Sequence, residues 1–263
     1  MIQMTDVSKN FGQEKVLNQI NLTISDNELV VLLGPSGAGK STLLRCINGL
    51  ERVSAGSVSV DGKQVTTNKK ELRLLRKNIG MIFQQFHLVK RMSVLDNVLC
   101  GRLAYTGTLS SIFKRFERRD YELTLHYLEK VGLVDKRNAR ADELSGGQQQ
   151  RVAIARSLVQ EPKLLLADEP VASLDPKTAN SILELLSLIK NEEKLTVVIT
   201  LHQMDLAKKY GKRIVGLNNG QIVADMAADL ISIDELYQLY EDQALISQKQ
   251  FSMSDQEKVA IHA

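Results

Sequence analysis

The chain has 263 residues, and its 34 Lys and Arg against 31 Asp and Glu leave a net charge of +3. With 43% hydrophobic and 25% charged residues it is globular in composition, which excludes wholesale disorder, and so balanced a charge argues against a protein that wraps nucleic acid. The longest unbroken apolar runs, Leu29–Leu33 and Leu164–Ala167, fall far short of the ~20 residues of a membrane-spanning helix.

The first residues show no basic-then-apolar leader. Cys46 and Cys100 stand far apart without CxxC or histidine spacing, so they read as reduced thiols of a cytosolic protein. In chain order, Met4–Val7 and Val16–Ile24 alternate apolar and polar side chains, the pattern of half-buried antiparallel strands. Leu29–Leu33 is continuously apolar, as in a strand covered on both faces, and it runs through a glycine-rich loop into Leu43, Leu44, Ile47 and Leu50 at helical spacing. Ser57–Gly62 and Ile79–Phe83 are further strand candidates. From about Ser93 to Val159 the chain reads as predominantly helical, with Asp120 as an N-cap, Tyr121, Leu125 and Leu128 repeating at i, i+4, i+7, and Gly132 as a helix stop. Lys163–Ala167 and Thr196–Thr200 are two more buried-type strands, with an amphipathic helix through Ile182, Leu185, Leu186 and Ile189 between them. Alternating apolar strands and helices predict a parallel sheet with helices on both faces and a helical insertion over about 90–160. Residues 1–243 read as one domain and 244–263 as a polar, loosely ordered tail.

The loop Gly34, Pro35, Ser36, Gly37, Ala38, Gly39, Lys40, Ser41 and Thr42 fits G-x-x-x-x-G-K-[ST] between a strand and a helix. Its glycines let backbone N–H groups turn toward phosphate oxygens, and the helix N-terminus adds partial positive charge. Lys40 is placed to reach the β- and γ-phosphates and Ser41 to ligate magnesium. Asp168, which ends an apolar strand, reads as the second acid on the metal side, and Glu169 as the base for an attacking water. These residues describe a nucleotide hydrolase or a kinase without deciding between them.

Leu144-Ser145-Gly146-Gly147-Gln148 decides it, because here the sequence resembles the ATP-binding-cassette (ABC) ATPases over about residues 1–240. Their other motifs follow in order. Gln84 matches the Q-loop, Ser173-Leu174-Asp175 the D-loop, His202 the switch histidine, and Phe11 the aromatic that stacks on adenine. Phe11 stands where the family commonly has Tyr, and stacking needs only the ring. The resemblance implies an α/β P-loop NTPase core with a parallel sheet, an N-terminal antiparallel β subdomain and an inserted α-helical subdomain. It implies ATP and magnesium, with Glu169, His202 and Gln84 catalytic and Ser41, Gln84 and Asp168 on the metal. It also implies a head-to-tail homodimer, in which Ser145, Gly146, Gly147 and Gln148 of one copy close on the ATP of the other and Asp175 communicates across the interface.

The segments Val89–Leu103, Leu166–Pro176 and Leu201–Leu206 resemble the phosphonate-import ATP-binding subunits. This implies an importer ATPase for phosphonates or related phosphorus esters, peripheral on the cytoplasmic face of the membrane. Its permease would be on separate chains, with a solute-binding protein acting indirectly and no nucleic acid involved. The alternatives are an importer for polar amino acids or phosphate, and a cell-division or mechanotransmission cassette. Phe86–Met92 is the expected permease contact. The basic segment Ile112–Arg119 reads as a solvated helix face in preference to a lipid contact.

Overall fold

The computed structural model describes residues 1–107 and 115–230. The alternating N-terminal sequence folds as a hairpin, β1 (Ile2–Phe11) antiparallel to β2 (Glu14–Ile24). Ile20, Leu22 and Ile24 face inward while Gln19, Asn21 and Thr23 meet solvent, the period-2 signature of a sheet with one wet face, and Leu17 is buried as well, across a register shift in the pairing with β1. After β3 (Leu29–Leu33) and α1 (Lys40–Ile47), β4 (Ala55–Val60) and β5 (Lys63–Gln64) join this hairpin in the order β2-β1-β4-β5.

The remaining elements are α2 (Lys69–Lys77), β6 (Ile79–Ile82), α3 (Val94–Leu99), α4 (Arg118–Lys130) and α5 (Gly146–Leu158). They are followed by β7 (Leu164–Ala167), α6 (Pro176–Glu193), β8 (Thr196–Leu201), α7 (Met204–Tyr210), β9 (Arg213–Asn218) and β10 (Gln221–Ala227). The second sheet has the order β10-β9-β3-β8-β7-β6. Strands β9 to β6 pair in parallel, and β10 closes one edge antiparallel.

β3, β7 and β8 are buried at every position, so successive side chains enter two cores. Val30, Leu32, Leu164, Leu166 and Val198 pack toward α1 and the antiparallel sheet. Val31, Leu33, Leu165, Val197 and Ile199 pack toward α5 and α6. The C-terminal ends of β3, β7 and β8 lie side by side, and the motif residues leave the sheet there.

The helical stretch differs from expectation at α4. Glu117, not Asp120, is the N-cap of α4, and Asp120 is the third helical residue of a capping box, accepting the Glu117 N–H at 3.2 Å. Tyr121 and Leu125 face solvent, and the inward face is Asp120, Thr124, Tyr127 and Leu128. Asp120 is buried because Arg102 pairs with it at 2.7 Å, and Thr124 because its hydroxyl donates to the Asp120 carbonyl at 2.7 Å. Gly132 follows the helix at φ 70°, the left-handed stop its position suggests. Of the basic segment, Ile112, Phe113 and Lys114 lie outside the described residues, as does the 244–263 tail. Arg118 pairs with Glu122 and Arg119 with Glu161, both at the surface.

Candidate active site

The glycines of the Gly34–Gly39 loop are sterically required at two points. A Cβ on Gly34 would lie 2.1 Å from the Leu217 carbonyl oxygen, and one on Gly39 2.8 Å from both Leu17 and the Val16 carbonyl. Gly39 also has φ 99°, a left-handed conformation that L side chains avoid. It is the N-cap of α1 and offers no side-chain acceptor, and the first turn carries no acid. The amides that open α1 are therefore left for an anion.

Lys40 is 4% exposed and uses all three ammonium protons inside the chain. It donates to the Gly34 carbonyl at 2.7 Å, to the Pro35 carbonyl at 2.9 Å and to His202 Nδ1 at 3.3 Å. An ammonium only donates, so Nδ1 is the acceptor and the imidazole proton sits on Nε2. That Nε2–H donates to Glu169 Oε1, which completes a Lys40–His202–Glu169 chain. Burial pulls the Lys40 ammonium below the ordinary lysine pKa, and the charges of Glu169 and Asp168 oppose that pull.

On the other side of the loop, the Ser41 hydroxyl donates to Asp168 Oδ1 at 2.7 Å, and Asp168 is 4% exposed. The Asp168 N–H is held by the Ile82 carbonyl at 2.9 Å, which ties the acid to the end of β6. A hydroxyl and a carboxylate converging on one point are the hard oxygen donors that magnesium takes, with phosphate and water completing the shell. Among the described residues no cluster of three or more His, Cys, Asp or Glu side chains could hold a metal alone. Ser41 and Asp168 therefore fit a magnesium shared with a nucleotide.

Thr200 belongs to this group, and sequence reading did not single it out. Its hydroxyl accepts the Glu169 N–H at 2.7 Å and lies 3.2 Å from Asp168 Oδ1. The only sequence signal is a polar residue inside a strand of apolar neighbours.

The other motif residues lie apart from this group. Phe11 is exposed at the end of β1 with Lys9 Nζ 4.4 Å from its ring centre, on the hairpin whose Val16 and Leu17 flank Gly39. Gln84 is exposed after β6 and lines a cleft with Gln85, Phe86, Gln149 and Ser173. Arg156 on α5 bonds the Phe86 and His87 carbonyls at 2.8 and 2.7 Å and floors a neighbouring groove with Phe83 and Cys100. Of the expected permease contacts, Phe86 and Leu88 are half-buried and Val89 is exposed.

Ser145 caps α5 in a capping box, since Gln148 accepts its N–H at 3.1 Å and its own hydroxyl accepts the Gln148 N–H. Ser145 and Gly146 are exposed. Asp175 caps α6, accepting from the Lys177 and Thr178 amides at 3.1 and 3.0 Å. Hydrogen bonds from the Thr178 side chain and backbone hold its carboxyl below the usual range. Ser145–Gln148 and Ser173–Asp175 together line a second surface groove of about 620 Å³, built from residues other than the Lys40 group. One chain thus has a phosphate-type loop and, elsewhere, a helix N-terminus open to solvent.

The sequence pattern of the ABC transporter family matches residues 17–172. The phosphonates import ATP-binding protein PhnC of Lactobacillus acidophilus is 54% identical over 227 residues, covering 86% of this chain and 88% of that protein. PhnC 2 of Oceanobacillus iheyensis is 46% identical over 242 residues, covering 91% and 95%. Among solved structures, the dimeric post-hydrolysis state of the ATP-binding cassette MJ0796, bound to ADP and Pi, superposes with TM-score 0.76 at 34% identity, over 87% of this chain and 99% of that one. cbiO1 from Clostridium perfringens, part of the ABC transporter complex cbiONQ, gives TM-score 0.77 at 29% identity, over 89% and 92%. With the loop, the paired acids and the LSGGQ helix in one α/β framework, the chain belongs to the ABC transporter family as one of its ATPase cassettes.

Proposed function

We propose that this chain is the ATP-hydrolysing subunit of an importer, a translocase that energises uptake of phosphonates or related phosphorus esters through separate permease chains. The observation that carries the ATPase reading is the convergence of Lys40, His202 and Glu169 on one side of the loop and of Ser41 and Asp168 on the other. The solute class rests on the two PhnC relatives.

In this reading the loop amides and Lys40 bind the β- and γ-phosphates, Phe11 stacks on adenine, and Ser41, Asp168 and Gln84 would hold magnesium. Magnesium supplies charge neutralisation of the phosphates. The γ-phosphate draws Lys40 away from the Gly34 and Pro35 carbonyls and takes a hydrogen bond from His202. Glu169, released from His202, accepts the proton of the attacking water. Ser145, Gly146, Gly147 and Gln148 of a second copy cover that phosphate, and Asp175 borders the seam. Hydrolysis removes the shared ligand and the dimer opens, a contact set present with ATP and absent with ADP. No described helix is long and apolar enough to cross a membrane. In this reading the cassette works as a peripheral subunit at the cytoplasmic face, docked on its permease through the segment after Gln84. The solute-binding protein acts through the permease.

Two measurements test this. Glu169→Gln is expected to bind Mg-ATP, lose nearly all turnover and accumulate as a dimer in size-exclusion chromatography; a monomer throughout argues against the sandwich. Uptake by the reconstituted transporter, with a panel of phosphonates, phosphite, phosphate and amino acids, tests the solute. Uptake of amino acids alone overturns it.

A further inference from the structure

Thr200 sits at a junction of the sheet. On β8 it pairs with Leu32 of β3, one residue before that strand ends, while Ile199 pairs with Ala167, the last residue of β7. It therefore lies between the strand that feeds the Gly34–Lys40 loop and the strand that delivers Asp168 and Glu169. The side chain is fully buried.

The hydroxyl has one proton to give and lone pairs to receive. It receives the Glu169 N–H at 2.7 Å. For its own proton there are two acceptors, Asp168 Oδ1 at 3.2 Å and the Ala167 carbonyl at 3.5 Å. The carboxylate is both nearer and charged, so it takes the proton. Asp168 Oδ1 then accepts from Ser41 and Thr200 together, at 2.7 and 3.2 Å. Glu169 meanwhile holds φ 48°, a left-handed backbone that a long side chain adopts only when its surroundings impose it. The amide that this turn presents is the one Thr200 accepts. A valine would fill the same space, leave that amide without its acceptor and remove one donor from Asp168.

We propose that Thr200 is a positioning residue for ATP hydrolysis, one hydroxyl that fixes both the backbone of Glu169 and the carboxylate of Asp168. This rests on the roles given to those two acids above. The hydroxyl contacts the acids and leaves the phosphate cradle untouched, so its loss affects the chemical step more than nucleotide binding.

The test uses the full chain with Mg-ATP. Thr200→Val is expected to lower kcat about 10- to 100-fold, the usual effect of a slightly misplaced catalytic group. Its ATP Kd should stay within about twofold of wild type, and Thr200→Ser should restore most of the rate. A purely structural threonine would instead lower thermal stability without this split between kcat and Kd. Glu169→Gln runs alongside to separate two failures. Turnover that Glu169→Gln leaves intact overturns the site reading itself. Inactive Glu169→Gln beside a Thr200→Val as fast as wild type overturns the role of Thr200 alone, and so does a slow Thr200→Val that Thr200→Ser fails to rescue. If Thr200→Val does not fold, Thr200→Ser and Thr200→Cys carry the comparison, because a thiol is a weak partner. A fast serine and a slow cysteine support the proposal, and equal rates overturn it.

Discussion

Lys40 has three protons and three internal acceptors, two of them carbonyls of its own loop, so the ammonium is held by dipoles of the chain itself. Burial depresses its pKa in this state. The folded chain therefore binds fewer protons here than the unfolded chain just below the ordinary lysine pKa, and through that window stability gains as pH rises. ATP reverses the sign, because triphosphate oxygens favour the charged ammonium. Binding then takes up a proton on the alkaline side, and ATP affinity is greatest below the depressed pKa and falls as pH rises through it. Titration calorimetry carried upward from neutral pH toward the ordinary lysine pKa should show this decline in the wild type. Lys40→Gln should bind weakly with no such slope. A wild-type affinity that stays flat or increases over that range would remove the assigned role of the buried ammonium.

At the scale of elements, α5 is the connecting piece. Its N-terminus carries Ser145 and Gly146, and its C-terminal half carries Arg156, whose two nitrogens hold the Phe86 and His87 carbonyls just after Gln84. Arg156→Met should cost about 2–4 kcal/mol, the loss of two charge-assisted hydrogen bonds that leaves both carbonyls short of a donor. Urea unfolding measures that cost, and hydrogen exchange should speed up at residues 84–88; unchanged exchange there would show that the loop is held by other contacts. Some elements were plain in the sequence and others were not, for identifiable reasons. β3, β7 and β8 were legible because burial on both faces leaves continuous apolar runs. α2 went unread because its helix buries only Leu75 fully, although Asn68 caps it by accepting from the Lys70 and Glu71 amides. β9 contains Gly216 and ends in Asn218, and its place in the sheet comes from parallel pairing with β3, a long-range contact that no local pattern encodes. The polar part of the inward face of α4 and Thr200 were both missed, for a common reason. Asp120, Thr124 and Thr200 are polar residues buried by hydrogen bonds, and hydropathy places such residues outside.

For the molecule as a whole, the Gly34–Lys40 loop and the N-terminus of α5 belong to different surfaces, and Gly146 and Gly147 offer a way to ask whether a second copy joins them. A Cβ on Gly147 would lie 2.5 Å from Thr178 Cγ2 of the same chain, so Gly147→Ala disturbs the folded monomer and says little about assembly. A Cβ on Gly146 meets only ordinary contacts, Leu174 Cδ2 at 3.6 Å and Phe86 Cζ at 3.9 Å. In a helix, replacing glycine by alanine removes conformational freedom from the unfolded chain and adds up to about 1 kcal/mol of stability. Gly146→Ala should therefore melt at or above the wild-type temperature and bind ATP normally as a monomer. If the exposed N-terminus of α5 closes on another copy's nucleotide, the added methyl stands where that phosphate must approach. Turnover should then fall about tenfold or more, with dimerisation lost in the Glu169→Gln background that otherwise accumulates dimer. A Gly146→Ala chain that is stable, binds ATP and hydrolyses it at the wild-type rate would mean that this surface stays open to water during catalysis, and the sandwich would have to be abandoned.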